Sequence, residues 1–202
     1  MYQKQILEYA KKNPVFLITE IQDCLKISAA KRAVFNSEIN RIEKTGQIKR
    51  LAHGIYAVPI QSCFGSTLPN EHTVVNHVYI DNGKGYVTGP SFLNQIGVST
   101  WVPQKTYVKV NNIIKSLTLD SLVITRSRIH ISMENQKYLQ LLDGILDAQQ
   151  YAIDNTNPNK IFYDYIIRNR LDTTKLLLMA NKLYKRPVQD KLYEILSEYY
   201  FD

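Results

Sequence analysis

Residues 28–59, SAAKRAVFNSEINRIEKTGQIKRLAHGIYAVP, hold the side chains of this chain whose types and spacing best suit one kind of chemistry. Arg and Lys donate to guanine O6 and N7 in the major groove, and Asn pairs both ways with adenine. Arg32, Asn36, Asn40 and Arg41 are therefore candidates for base edges, and Lys31, Ser37 and Lys44 for phosphates. Lys49, Arg50 and His53 follow within a short hairpin and suit the DNA backbone or the minor groove. The same residues would also make an ordinary solvated face of an amphipathic helix. The hairpin that follows and the local basic surplus favour nucleic acid.

Other chemistries meet missing parts. Gly65-Ser66 resembles the turn that nucleotidyltransferases place before a strand of metal-binding carboxylates, but the strand expected at Val78-Tyr79-Ile80-Asp81 supplies one carboxylate where two metals need at least a pair. His72 and His77 are five apart, so on a helix they point about 140° apart and do not share a metal as an i,i+4 pair does. Gly83, Gly85 and Gly89 lack the Lys-Ser/Thr of a phosphate loop. Asp143 and Asp147 share a helical face, which reads as a solvated acidic surface rather than a general acid and base. We expect no catalytic site, no metal and no cofactor.

The elements that must position the basic residues are readable from periodicity. Phe35, Ile39 and Ile42 recur at helical spacing, with Ser28 as the expected N-cap and Gly46 as the left-handed C-terminal stop. Strand-like runs over 48–51 and 55–58 flank Ala52-His53-Gly54, and Pro59 ends the second. Upstream, a helix over 2–12 ends at Asn13-Pro14, the apolar run 15–18 packs inward, and Thr19-x-x-Gln22 has capping-box form. Three short helices and a hairpin within residues 1–60 match the size of a winged helix-turn-helix.

Downstream, Asn70 caps a helix over 70–78, Asp81-Asn82-Gly83-Lys84-Gly85 is a turn, and 85–89 is a short strand. A helix over 91–96, capped by Ser91, ends at Gly97, and 106–110 alternates as a strand. Runs over 113–119 and 122–131 are expected to form a hairpin about Asp120-Ser121, with Arg126 and Arg128 on one face. From Gln136 the pattern is helical: 136–153, a helix capped by Asn157 with Pro158 first, another capped by Asp172, and a last one after Pro187 towards Tyr200.

The expected class is α+β. A winged helix-turn-helix over 1–60 is followed by a linker over 61–69 and, over 70–202, an α+β domain with a small sheet and C-terminal helices. A hydrophobic content of 45% and charged content of 21% are those of a folded globular chain. No apolar run approaches the roughly 20 residues of a membrane span, and MYQKQILEYAKK is an amphipathic helix rather than a signal peptide, so we expect a cytoplasmic protein with no membrane partner. Cys24 and Cys63 stand far apart; both are expected reduced, Cys24 in the core. Of the net charge of +7, residues 1–60 carry 10 Lys/Arg against 5 Asp/Glu, and the remainder 15 against 13. That asymmetry joins a nucleic-acid module to a nearly balanced second part.

Two blocks carry a family resemblance. Gly46-Gln47-Ile48-Lys49-Arg50-Leu51 with Gly54-Ile55-Tyr56 is the first, and Tyr86-Val87-Thr88-Gly89-Pro90-Ser91-Phe92-Leu93-Asn94-Gln95-Ile96-Gly97-Val98-Ser99-Thr100, then Val102-Pro103 and the run to Asn111, is the second. They resemble the AbiEi-like antitoxins of type IV toxin–antitoxin systems, which include short relatives described as transcriptional regulators. The resemblance implies a winged helix that binds operator DNA and represses its own operon, through Lys31, Arg32, Asn36, Asn40, Arg41, Lys49 and Arg50. It also implies a non-enzymatic C-terminal domain that counters a nucleotidyltransferase-like toxin. The expected partners are double-stranded operator DNA with inverted repeats and that toxin, with Arg126 and Arg128 on the partner surface. The alternative expectation is a winged-helix regulator whose second domain senses a ligand or oligomerises, with no toxin partner.

Overall fold

The computed structural model describes residues 2–63, 65–115, 117–151 and 154–199. The chain is α+β and divides into two compact units, residues 1–78 with 114–119 and residues 79–113 with 120–202.

In the first unit, α1 (Gln3–Lys12) buries Ile6 and Ala10 and stops at Asn13-Pro14. The apolar run that follows forms strand β1 (Val15–Leu17), which passes directly into α2 (Ile18–Cys24). The Thr19–Gln22 box does not form. Glu20 caps this helix instead, its carboxylate accepting the Leu17 N–H at 2.9 Å, while Gln22 is buried. Lys26 adopts a left-handed φ of 52°, and the Ile27 N–H returns to the Gln22 carbonyl at 2.8 Å. This closes a sharp turn into α3 (Arg32–Lys44). Ser28 does not cap α3. A 3-10 turn, Ala29–Lys31, intervenes, and the serine side chain makes no capping bond to it.

Phe35, Ile39 and Ile42 of α3 are buried with Ile6, Phe16, Ile21 and Tyr56 in one core, where Phe16 stacks on Tyr56 with ring centroids 5.8 Å apart. Strands β2 (Lys49–Ala52) and β3 (Ile55–Ala57) pair antiparallel around a turn at Gly54, whose φ of 75° suits glycine. β1 adds to the other side of β3, giving the sheet order β1-β3-β2. Cys24 is exposed rather than in the core, because the end of α2 turns it to solvent; Cys63 is exposed as well, and both are free.

The segment expected as a linker holds a small hairpin, β4 (Ile60–Ser62) and β5 (Gly65–Thr67). Asn70 caps α4 (Glu71–Val75), accepting the Thr73 N–H at 2.8 Å. Residues 76–80 continue as a π turn and 81–83 as a 3-10 turn, so the strand expected at Val78–Asp81 is absent.

In the second unit, β6 (Gly85–Val87), β7 (Thr106–Val110) and β8 (Leu122–Arg126) form a sheet in that order. β7 pairs antiparallel with β6 and parallel with β8. The expected hairpin about Asp120-Ser121 is therefore replaced by a crossover. Among the described residues of 113–119 there is no strand, and β8 ends at Arg126, leaving Arg128 in the loop beyond it. A Cβ at Gly85 would lie 2.5 Å from both the Lys109 and Tyr79 carbonyl oxygens, so only glycine fits where these backbones meet.

Helix α5 (Gly89–Ile96) starts earlier than expected. Ser91 lies inside it and bonds outward: its Oγ donates to the Lys105 carbonyl at 3.1 Å and accepts the Tyr107 N–H at 3.1 Å. Gly97 ends the helix at φ 87°. Helices α6 (Gln136–Asp147), α7 (Pro158–Arg168), α8 (Thr173–Leu183) and α9 (Arg186–Tyr199) follow. Asn157 and Asp172 cap α7 and α8 by accepting the Lys160 and Lys175 N–H groups at 3.1 and 2.8 Å. Phe92, Leu142, Ile145, Phe162, Leu176 and Leu192 share the core of this unit. α6 stops at Asp147, short of the expected Ile153; Ile153 and Tyr200 lie outside the described residues. Among the described residues no helix is long and apolar enough to cross a membrane.

Candidate nucleic-acid interface

The candidate interface lies on α3, which buries one side and offers the other. With about 100° per residue, Ala33, Ser37, Asn40, Arg41 and Lys44 fall opposite Phe35, Ile39 and Ile42. Lys31, Arg32, Asn36, Ser37, Asn40, Arg41 and Lys44 are all exposed. Asn36 sits on the flank of the outward face, Arg32 nearer the side of Phe35 but exposed at the helix's first position, and Lys31 in the 3-10 turn before the helix. The small side chains of Ala33 and Ser37 at the N-terminal half leave room for the close approach that groove binding needs. Val34, 57% exposed on the same helix, suits apolar contact with a thymine methyl and was not singled out by its sequence pattern.

Several of these groups are already held. Arg41 Nη1 donates to Glu38 Oε1 at 3.2 Å, and the Ser37 hydroxyl donates to the Ala33 carbonyl at 3.0 Å. Asn36 Oδ1 accepts from Gln22 Nε2 at 3.0 Å, a bond from α2 to α3. That bond occupies the oxygen that paired recognition of adenine requires, so Asn36 serves more as a brace between two helices than as a base reader. Gln22 is the positioning residue behind it, and its place in an apparent capping box concealed this role.

In the β2–β3 ribbon, Lys49, Arg50 and His53 are exposed. Arg50 folds over the turn, one guanidinium nitrogen 3.0 Å from His53 Nδ1 and Nε 3.4 Å from the Ala52 carbonyl. A bulge between Arg50 and Ala52 shifts the register and twists the ribbon. Arg126 and Arg128 are exposed in the second unit.

His72 and His77 go separate ways. His72 bonds Asn76 at 3.3 Å, and His77 Nε2 lies 2.7 Å from Glu20 Oε2, tying α4's continuation to the start of α2.

The sequence profile of a family described as DUF6088, a family of unknown function, matches residues 4–129. The chain belongs to the DUF6088 family. The match takes in all ten candidate contact residues and the sheet β6-β7-β8, whereas α6 to α9 lie beyond it. No curated protein matches the chain.

In this DUF6088 chain the two carboxylates read as a solvated face do not form one: Asp143 is buried and Asp147 half-buried. Asp143 is 3% exposed. Its carboxylate accepts from Tyr86 Oη at 2.6 Å, Tyr184 Oη at 2.8 Å and Lys109 Nζ at 2.6 Å. Asp147, one turn on, accepts the Gly89 N–H at 2.8 Å and the Thr88 hydroxyl at 3.1 Å, so it caps α5 from another helix. Burial, and then the charge of Asp143, hold the Tyr86 and Tyr184 hydroxyls well above their ordinary range, which keeps both as donors. With an ammonium and two hydroxyls already on it, Asp143 ties α6 and the end of α8 to the sheet.

Burial raises the Asp147 carboxyl above 3.8, against the lowering from its Gly89 and Thr88 bonds. The folded chain therefore holds this proton more tightly than the unfolded one. The contribution is greatest below the unfolded value and is lost as pH rises through the window up to the raised folded value. Asp147→Asn keeps an oxygen for both donors and removes the charge. Urea unfolding from below about pH 4 to neutrality is expected to show the variant gaining on the wild type through that window and then running parallel to it. A constant difference across the range would count against this account.

Proposed function

We propose that this chain is a DNA-binding regulator whose first unit acts as a winged helix-turn-helix, with α3 as the recognition helix and the β2–β3 ribbon as the wing. One observation carries the reading: all ten candidate contact residues are solvent-exposed on α3, the turn leading into it or the ribbon, within one compact unit. The element order α1, β1, α2, α3, β2, β3 and the sheet β1-β3-β2 support it. The basic excess of residues 1–60 supplies the phosphate attraction that such a module needs.

Within that reading, the chain is an AbiEi-like antitoxin that represses its own operon at inverted repeats, and its second unit counters a nucleotidyltransferase-like toxin. The test of DNA binding is a gel-shift titration with the DNA upstream of the chain's own gene at several salt concentrations. The wild type is expected to bind with a steep salt dependence, and Lys49→Ala to reduce the slope by about one while weakening all sequences alike. Absence of binding at low salt would remove the proposal. The antitoxin arm is tested separately, by co-expression with a nucleotidyltransferase-like neighbour: growth arrest that this chain fails to relieve would refute that arm and leave DNA binding untouched.

A further inference from the structure

The sheet of the second unit ends in an open edge. β8 is its outer strand and, among the described residues, pairs only with β7. The Ser121 carbonyl accepts the Thr106 N–H at 2.7 Å, and the Ser127 N–H donates to the Val110 carbonyl at 2.7 Å. In a parallel ladder, residues 121, 123, 125 and 127 therefore face β7, and Leu122, Ile124 and Arg126 direct their N–H and C=O groups outward. Among the described residues these three make no backbone bond to another element. The strand begins Leu-Val-Ile-Thr, with no proline, glycine or charge before Arg126, and none of its residues is fully buried. Proteins ordinarily blunt such edges with charge, proline or a bulge, and residues 122–125 carry none of these.

We propose that β8 is a homotypic interface, where a second copy of this chain adds its own β8 antiparallel about a twofold axis. Charge complementarity favours a second copy as the occupant. The register that overlaps the whole strand sets Ile124 opposite its twin and Leu122 opposite the second copy's Arg126. Two residues further along on each side, just beyond the strand itself, exposed Asp120 comes level with exposed Arg128 of the second copy. Each copy thus supplies one member of each of two opposite-charge pairs, and no arginine faces an arginine. The outward groups of Leu122, Ile124 and Arg126 fall into the hydrogen-bonded positions of that ladder. A five-residue pairing is small beside interfaces that hold permanently, so the dimer is reversible and concentration-dependent. This inference does not rest on the DNA-binding reading.

Sedimentation equilibrium of the full chain over a wide concentration range tests it. The wild type is expected to pass from monomer to dimer. Ile124→Pro removes an outward N–H without touching the β7 ladder and is expected to abolish the dimer with the circular dichroism unchanged. Arg128→Asp places like charges opposite and is expected to weaken association about tenfold or more. The double variant Asp120→Arg with Arg128→Asp restores the pairs and is expected to recover association to within about threefold of the wild type. A wild type that stays monomeric throughout, or an Ile124→Pro variant that dimerises as well as the wild type, overturns the proposal. So does a double variant as weak as the single one, and this charge series decides the matter alone should Ile124→Pro fail to fold.

Discussion

Replacing Asn40 and Arg41 together by alanine is expected to lower operator affinity by about 2–6 kcal/mol, at least about thirtyfold in a gel-shift titration, because each base contact contributes roughly 1–3 kcal/mol. Both residues stand on the face of α3 opposite Phe35, Ile39 and Ile42, so their loss leaves the core intact and the unfolding midpoint is expected to move little. Arg41 is 70% exposed but rests on Glu38, which is only 12% exposed. Contact with a guanine or a phosphate means exchanging that partner, so Glu38→Gln is expected to raise affinity, most at low salt. An unchanged titration for the double variant would show that α3 is not the reading helix.

Asp143→Ala is expected to lower the stability of the chain by about 3–5 kcal/mol in urea unfolding, because breaking a buried pair strands what remains. The substitution leaves the Lys109 ammonium, the Tyr86 hydroxyl and the Tyr184 hydroxyl without the carboxylate that accepts from all three. These donors come from β7, β6 and the end of α8, so one side chain holds together elements far apart in sequence. Asp143→Asn keeps one acceptor oxygen and loses the charge, and it is expected to fall between the two. A loss of less than about 1 kcal/mol for Asp143→Ala would mean that water replaces the carboxylate and that the network does not tie the helices down.

The elements that proved readable are those whose cause is local. The spacing of Phe35, Ile39 and Ile42 marks a helix with one apolar side wherever it is placed. Asn70, Asn157 and Asp172 each cap the helix expected of them, because a capping side chain needs only the N–H three residues on. Where two local solutions compete, the pattern is not enough. Thr19 with Gln22 and Leu17 with Glu20 are both acceptable starts for α2, and the part-buried bond from Gln22 to Asn36, which takes the glutamine away from a cap, favours the second. Ser28 loses its capping role for a similar reason: the chain first makes a 3-10 turn after the left-handed Lys26.

The α+β class, the amphipathic α3, the basic ribbon after it and the caps at Asn70, Asn157 and Asp172 are legible from the chain alone, since each follows from residues within a few positions of one another. Tertiary structure alone decided that β8 pairs parallel with β7 rather than folding back on residues 113–119. Alternation says which residues share a face and nothing about which strand lies beside them. It also decided the fate of Asp143 and Asp147. Their i,i+4 spacing is the same on a wet face as on a buried one, and only the arrival of Lys109, Tyr86, Tyr184, Thr88 and Gly89 makes it tolerable to withdraw Asp143 fully, and Asp147 in part, from water.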